Sequence, residues 1–177
     1  MRLALPSSVN WVTVTPAKVN PVQDQGQCGS CWAFAAVATM ESAHKIQHGS
    51  LYKLSEQNEV SCSSSYGNNG CNGGLAQYAW NYAKTHPVMY ETAYPYTSGT
   101  TMKSGSCTYD ATQGHGGVSS FFSVGTDNTS IMTAIVQMPV SIAIEADTAA
   151  RLAHMAEFQP FDTWRTTMAA RVAAGGE

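Results

Sequence analysis

The stretch QDQGQCGSCWAF, residues 23–34, sets two cysteines three residues apart and follows the second with an unbroken apolar run. Ser30 has the chemistry of a helix N-cap, and from Cys31 onward Ala33, Val37 and Met40 recur at helical spacing until Gly49 offers a stop. The pattern predicts a long, mostly buried helix with Cys31 in its first turn. A thiol attacks as its thiolate, and the dipole and free backbone amides of a helix N-terminus favour negative charge on a sulfur placed there. Cys28 lies outside the helix and has no such help, so only one of the pair needs to be reactive. A carbonyl under attack would also need donors for its oxygen, and the backbone N–H of Cys31 and the carboxamide of Gln25 can supply two.

Two other uses of a C-x-x-C pair compete with this reading. A redox pair normally sits in a βαβ pattern, which the polar, proline-bearing segment before Gln23 does not show. A zinc site would want a second close pair, whereas Cys62 and Cys71 are nine residues apart. No metal ligand set and no cofactor motif is therefore expected. The chain holds five cysteines, at 28, 31, 62, 71 and 107, an odd number that leaves at least one thiol free and every pairing of the others open. Ser, Gly and Asn around Cys62, Cys71 and Cys107 read as loops, where cross-links are useful, and favour an oxidising compartment.

Composition narrows the function further. With 177 residues and 44% hydrophobic content there is enough apolar material for one ordinary domain or two small packed lobes. A net charge of −3 with 12% charged residues provides no basic stripe for phosphates and no polybasic patch for anionic lipid, so neither nucleic acid nor membrane is an expected partner. Residues 1–6 are too short for a secretory signal.

Along the chain, Ser55 caps a second, short helix, and a third runs from about Leu75 through Tyr78, Ala79 and Tyr82 to the break before Pro87. SCSSSYGNNGCNGG between them is loop. The later ordered signals are strand-like: residues 118–124, then VSIAIE with Val140, Ile142 and Ile144 alternating with smaller or polar residues. Asn128, in NTS, is a glycan acceptor or an ordinary turn asparagine. Residues 148–177 contain no Tyr, Asn, Ser or Lys and are rich in Ala and Arg, which sets a composition boundary at 147. A helix capped by Asp147 fits TAARLAHMAEF.

QGQCGSCWAF resembles the active-site segment of papain-like cysteine peptidases, whose signature is C-G-[SA]-C-[WY]. The likeness extends to LPSSVNWV (a mature N-terminus), to LSEQNEVSCS and GCNGGLAQYAW, and to MPVSIAIEA, a strand of the second lobe; its flavour is that of cathepsin L. The resemblance implies an α+β, two-lobed papain-like fold over residues 1–147 with a complete helical left lobe and a truncated β-barrel right lobe. Residues 148–177 form an atypical tail. It implies Cys31 as nucleophile, Gln25 as oxyanion donor, and disulfides Cys28 with Cys71 and Cys62 with Cys107. Gly73 and Gly74 would present backbone to an extended peptide, though a plain turn after Cys71 also explains them. Leu75, Ala76 and Ala143 would line part of an apolar pocket. Peptide or protein substrates and a lysosomal, vacuolar or secreted location follow from the same likeness.

One part of the family pattern has no counterpart. Papain-like catalysis uses a histidine and an asparagine about 130–150 residues beyond the cysteine, and residues 161–177 contain neither. Of the five histidines, His44 and His48 lie a turn apart on the long helix, His86 and His115 near loops, and His154 in an Ala-rich helical context that suits a neutral surface side chain. The chain is therefore expected to be an endopeptidase by descent, itself catalytically defective and at most peptide-binding. Its incomplete lobe is expected to self-associate through an uncovered strand edge.

Overall fold

The computed structural model describes residues 5–143. Helix α1, Cys31–His48, is the central element, and ten of its residues are buried. Its near side carries Ala33 and Ala36, small enough for the neighbouring helix to approach closely, and α3, Ala76–Ala83, does so with Ala79 and Ala83. Two apolar clusters result. Cys28, Trp32, Ala33 and Ala36 meet Val60 and Ala79, while Val37 and Met40 meet Leu54, Ala83 and Val88. The Trp rings tie these layers by hydrogen bonds as well as by area: Trp32 Nε1 donates to Gly70 O at 3.1 Å and Trp80 Nε1 to Ala36 O at 3.3 Å.

The helix boundaries follow the sequence chemistry with one exception. Gly49 adopts φ 81°, the left-handed conformation that ends α1, and its N–H closes on Lys45 O. Ser55 caps α2, Glu56–Cys62, by accepting from the Asn58 N–H. Ser30 stands at the N-cap position of α1, yet its side chain caps nothing. Its hydroxyl faces the phenol of Tyr96 at 2.7 Å instead, and its ψ of 15° is not the extended value from which a serine reaches its own helix.

The second half departs from the strand expectations. The paired strands are β1, Val88–Met89, and β2, Gly114–Gly116, antiparallel. Residues 118–124 form no strand and lie instead against the end of α3: Val118 N–H donates to Ala83 O, the Phe121 ring lies 5.1 Å from Trp80, and Nζ of Lys84, the residue after α3, stands 4.6 Å above that ring. Short helical turns occupy Ser98–Thr101 (α4), Ser64–Tyr66 and Ala111–Gln113. A helix the sequence reading did not include, α5, Asn128–Gln137, is capped by Asp127, whose carboxylate accepts from the Ser130 N–H at 3.0 Å. Asn128 is thus the first residue of a helix, exposed, and no turn asparagine. The N-terminal segment reaches α5 through Trp11 Nε1, which donates to Ile135 O at 2.8 Å. Residues 140–143 form no strand within the described residues, and Ile144, the tail and its expected helix lie outside them.

Beneath α1 lies a buried group of acids. Glu41 accepts from Leu54 N–H at 2.8 Å and Asn20 Nδ2 at 2.9 Å, and Lys53 Nζ bridges to Glu56 at 2.5 Å and Glu41 at 3.4 Å. Burial pushes the Glu56 carboxyl up to about 7 despite the Lys53 ammonium beside it. Burial likewise raises Glu41 and Glu91. On the same helix as Glu56, Glu59 is fully buried with neither carboxylate oxygen hydrogen-bonded among the described residues.

Candidate active site

Cys31 is the first residue of α1, and it carries an exposed, free thiol. The segment ahead of it is fixed by backbone contacts. Cys28 is joined to Cys71, and Gly29 N–H donates to Cys71 O at 2.9 Å. Gly29 then pairs with Asn72 in a parallel bridge. A Cβ on Gly29 would stand 2.5 Å from Cys71 O, so only glycine lets the two segments meet. The second disulfide, Cys62 to Cys107, pins the end of α2 to the loop beyond α4.

Gln25 is 6% exposed. Its Nε2 donates one proton to Cys28 O at 2.9 Å, leaving the second available, and its Oε1 is buried without a partner among the described residues. The carboxamide is therefore held by one hydrogen bond of its own, and its aim depends on the backbone around it.

The remaining residues singled out from the sequence fall in several environments. Gly73 has φ 108° and nothing within 4 Å of where a Cβ would be, so its backbone is open on that side. Gly74 is explained by packing: a Cβ there would meet Asn68 Oδ1 at 2.3 Å and the Trp32 ring at 2.9 Å. Leu75 is 39% exposed at the head of α3, while Ala76 packs against the Cys28 and Trp32 cluster. Ala143 is exposed at the end of the described residues. Asn68 had no sequence signal, yet it organises this loop, accepting from Leu75 N–H at 2.9 Å and donating to Ser63 Oγ at 2.8 Å.

Comparison with known proteins supplies the family. A model described as papain family cysteine protease matches residues 5–158. The chain belongs to the papain family of cysteine proteases. This papain-family chain is 39% identical over 148 residues to mouse (Mus musculus) procathepsin L, an alignment covering 82% of the chain and 42% of that relative. It is 48% identical over 93 residues to a cathepsin L-like peptidase of Aedes aegypti, covering 52% of the chain and 27% of the relative. Among solved structures it superposes on the digestive procathepsin L 3 of Tenebrio molitor larval midgut with a TM-score of 0.70 at 37% identity, covering 77% of this chain and 43% of that one. The fold is accordingly the α+β papain-like fold. The papain-family chain spans about two fifths of the length of the procathepsin L relatives it matches.

No described histidine of this papain-family chain is poised at Cys31. His44 lies about 20 Å along the axis of α1 from it, at 1.5 Å per residue. Its Nδ1 faces Ser50 O at 2.9 Å and its Nε2 the Tyr52 hydroxyl, and His48 packs on the same ring. His86 stacks on Tyr82 at 4.7 Å and His115 on Tyr90 at 3.9 Å. His154 lies outside the described residues. Among the described residues no cluster of three His, Cys, Asp or Glu is arranged to hold a metal, and no helix is long and apolar enough to cross a membrane.

Proposed function

We propose that Cys31 is the nucleophile of a cysteine endopeptidase site and Gln25 its oxyanion donor. The observation that carries this reading is an exposed free thiol heading an 18-residue helix, with the buried Gln25 carboxamide hydrogen-bonded to Cys28 O three residues ahead of it. Cys31 Sγ would form a bond to the scissile carbonyl carbon, and the carbonyl oxygen would take up the electron pair against the spare Gln25 N–H and the Cys31 N–H. Collapse would expel the amine and leave an acyl-thioenzyme for water to hydrolyse. Peptide or protein is the substrate class. Gly73 would offer open backbone to an extended chain, with Leu75, Ala76 and Ala143 as apolar contacts. Two disulfides suit a lysosomal, vacuolar or secreted setting.

The 177 residues as they stand supply the nucleophile and oxyanion half of that machinery. The departing amine needs a proton, and among the described residues no imidazole is placed to give it: the four described histidines are engaged elsewhere, and residues 161–177 hold no histidine. Alkylation with iodoacetamide should therefore label Cys31 stoichiometrically, since the other four cysteines are in disulfides, while hydrolysis of fluorogenic peptides stays at background. Turnover that disappears in Cys31→Ala would refute the inactive reading, and His154→Ala would then be the first variant to make.

We further propose that the protein self-associates with a second copy, through apolar side chains exposed after α3 and not through the strand edge expected from the sequence, since residues 140–143 form no strand. Phe122 is 71% exposed, and Met132 and Ile142 are also exposed, three large apolar side chains left to solvent within residues 122–142. Sedimentation should show concentration-dependent dimers or larger species. A monodisperse monomer throughout the micromolar range would exclude it.

A further inference from the structure

We propose that Tyr96 is a positioning residue for the Cys31 site, its phenol locking the Gln25 segment to the start of α1. The inference rests on the reading of Gln25 as oxyanion donor. Tyr96 reaches both segments at once: its hydroxyl donates to Gln25 O at 2.8 Å and lies 2.7 Å from Ser30 Oγ. A phenol has one proton, and a carbonyl can only accept. With the Tyr96 proton on Gln25 O, the Ser30 hydroxyl is the donor toward Tyr96, the nearer of its two acceptors; the other is Cys28 O at 3.3 Å, which also accepts from the Gln25 carboxamide. Ser30 is fully buried and immediately precedes Cys31. The relay thus connects the residue before the nucleophile to the backbone that carries the carboxamide.

The segment bearing Tyr96 is a firm support. Tyr96 N–H donates to Glu91 Oε1 at 2.8 Å, and the N–H groups of Thr97 and Ser98 both donate to Gln57 Oε1, at 2.8 and 2.9 Å, from the buried face of α2. The ring sits edge-on to Phe34 of α1 with centroids 5.0 Å apart. One step further on, Gln27 N–H donates to Gly99 O at 2.9 Å, and Gly26 and Gly99 approach so closely that a Cβ on Gly26 would lie 2.6 Å from Gly99 O. Residues 96–99 are therefore the wall against which residues 25–27 are seated. Because the Gln25 side chain has one hydrogen bond of its own, removing the phenol lets the carboxamide drift without unfolding the helix that presents the thiol.

The test separates the oxyanion from the thiol. A small peptide aldehyde adds to Cys31 by forming an Sγ–C bond, the thiol proton ending on the former carbonyl oxygen, and it needs the oxyanion donors. Iodoacetamide forms an Sγ–CH2 bond, expels iodide and releases the thiol proton to buffer, and it needs only the thiol. In the full 177-residue chain, Tyr96→Phe should weaken aldehyde binding about tenfold, as small misplacements of a donor do. Ser30→Ala, which removes the other end of the relay, should weaken it about threefold, the worth of one hydrogen bond. Gln25→Ala should weaken it about a hundredfold, with alkylation changed by no more than about twofold in all three. A merely structural Tyr96 would lower the unfolding midpoint and both reactions together. Equal losses in both reactions, or an unchanged aldehyde affinity in Tyr96→Phe and Ser30→Ala while Gln25→Ala keeps its loss, would overturn the role of Tyr96 and leave that of Gln25 standing. An unaffected Gln25→Ala, or no adduct with the unsubstituted protein, would overturn both.

Discussion

Replacing Glu59 by leucine should stabilise the protein, and more at neutral pH than in acid. Glu59 is fully buried in α2 with both carboxyl oxygens unpartnered among the described residues, and burial holds its carboxyl well above the ordinary range. Its titratable neighbour is Tyr82, whose phenol burial also raises. A neutral carboxyl buried without hydrogen bonds costs about 1–3 kcal/mol relative to a satisfied group, and leucine of similar volume removes that cost. The pH dependence has a definite sign. The folded state keeps the proton that the unfolded chain gives up near its ordinary value of 4.5, so the stability present below that pH falls as pH rises, by about 1.4 kcal/mol per unit while only the unfolded chain is ionised. Glu56 acts in the same direction between its ordinary value of 4.5 and about 7. Urea unfolding at pH 4.5 and 7 should show Glu59→Leu more stable at both and the gap wider at 7. A gain that does not grow with pH, or a loss, would mean the carboxyl has a partner or water to ionise against.

The other large effect is catalytic. Appending a papain-family C-terminal segment that carries the histidine and asparagine after residue 147 should raise peptide hydrolysis about 10²–10⁴-fold over the 177-residue chain, the usual worth of general acid–base catalysis. The histidine supplies two things that α1 and Gln25 cannot: an imidazolium partner for the thiolate and a proton for the departing amine. The measurement is turnover of a fluorogenic peptide by a chimera that circular dichroism shows to be folded. Turnover should vanish in its Cys31→Ala variant. A folded chimera no faster than background, although its Cys31 still alkylates, would show that residues 1–147 lack something besides the histidine.

How far the sequence was legible depended on whether a residue's partner was local. The end of α1 and the start of α2 could be read because Gly49 and the Ser55 cap act within one turn of themselves. Ser30 looked like the same kind of cap, but its hydroxyl is claimed by Tyr96, 66 residues away, and no local pattern announces that. Residues 118–124 have strand composition, yet Phe121 packs on Trp80 of α3 and under Lys84 just beyond it, contacts that no local pattern announces. Helix α5 was obscured by its own threonines and serine, which have low helix propensity, although Asp127 with Ser130 three residues on was a readable cap. At the site, Cys31 and Gln25 could be named from one segment. Tyr96 could not, because it acts across the fold, and Asn68 could not, because its partners Ser63 and Leu75 meet it only once the loop has closed.

The two disulfides also set an order of events during synthesis. Their spans, Cys28 to Cys71 and Cys62 to Cys107, overlap, so neither native bridge can close until the chain has grown to residue 71, nor the pair be complete before residue 107. Cys28 and Cys31 emerge together, and Cys62 follows before either native partner is available. In the lysosomal, vacuolar or secreted setting proposed above, a nascent chain meets non-native pairings first, including one that would consume Cys31. Thiol–disulfide exchange must return that sulfur, so the yield of free Cys31 should respond to disulfide isomerase supply more than to folding temperature.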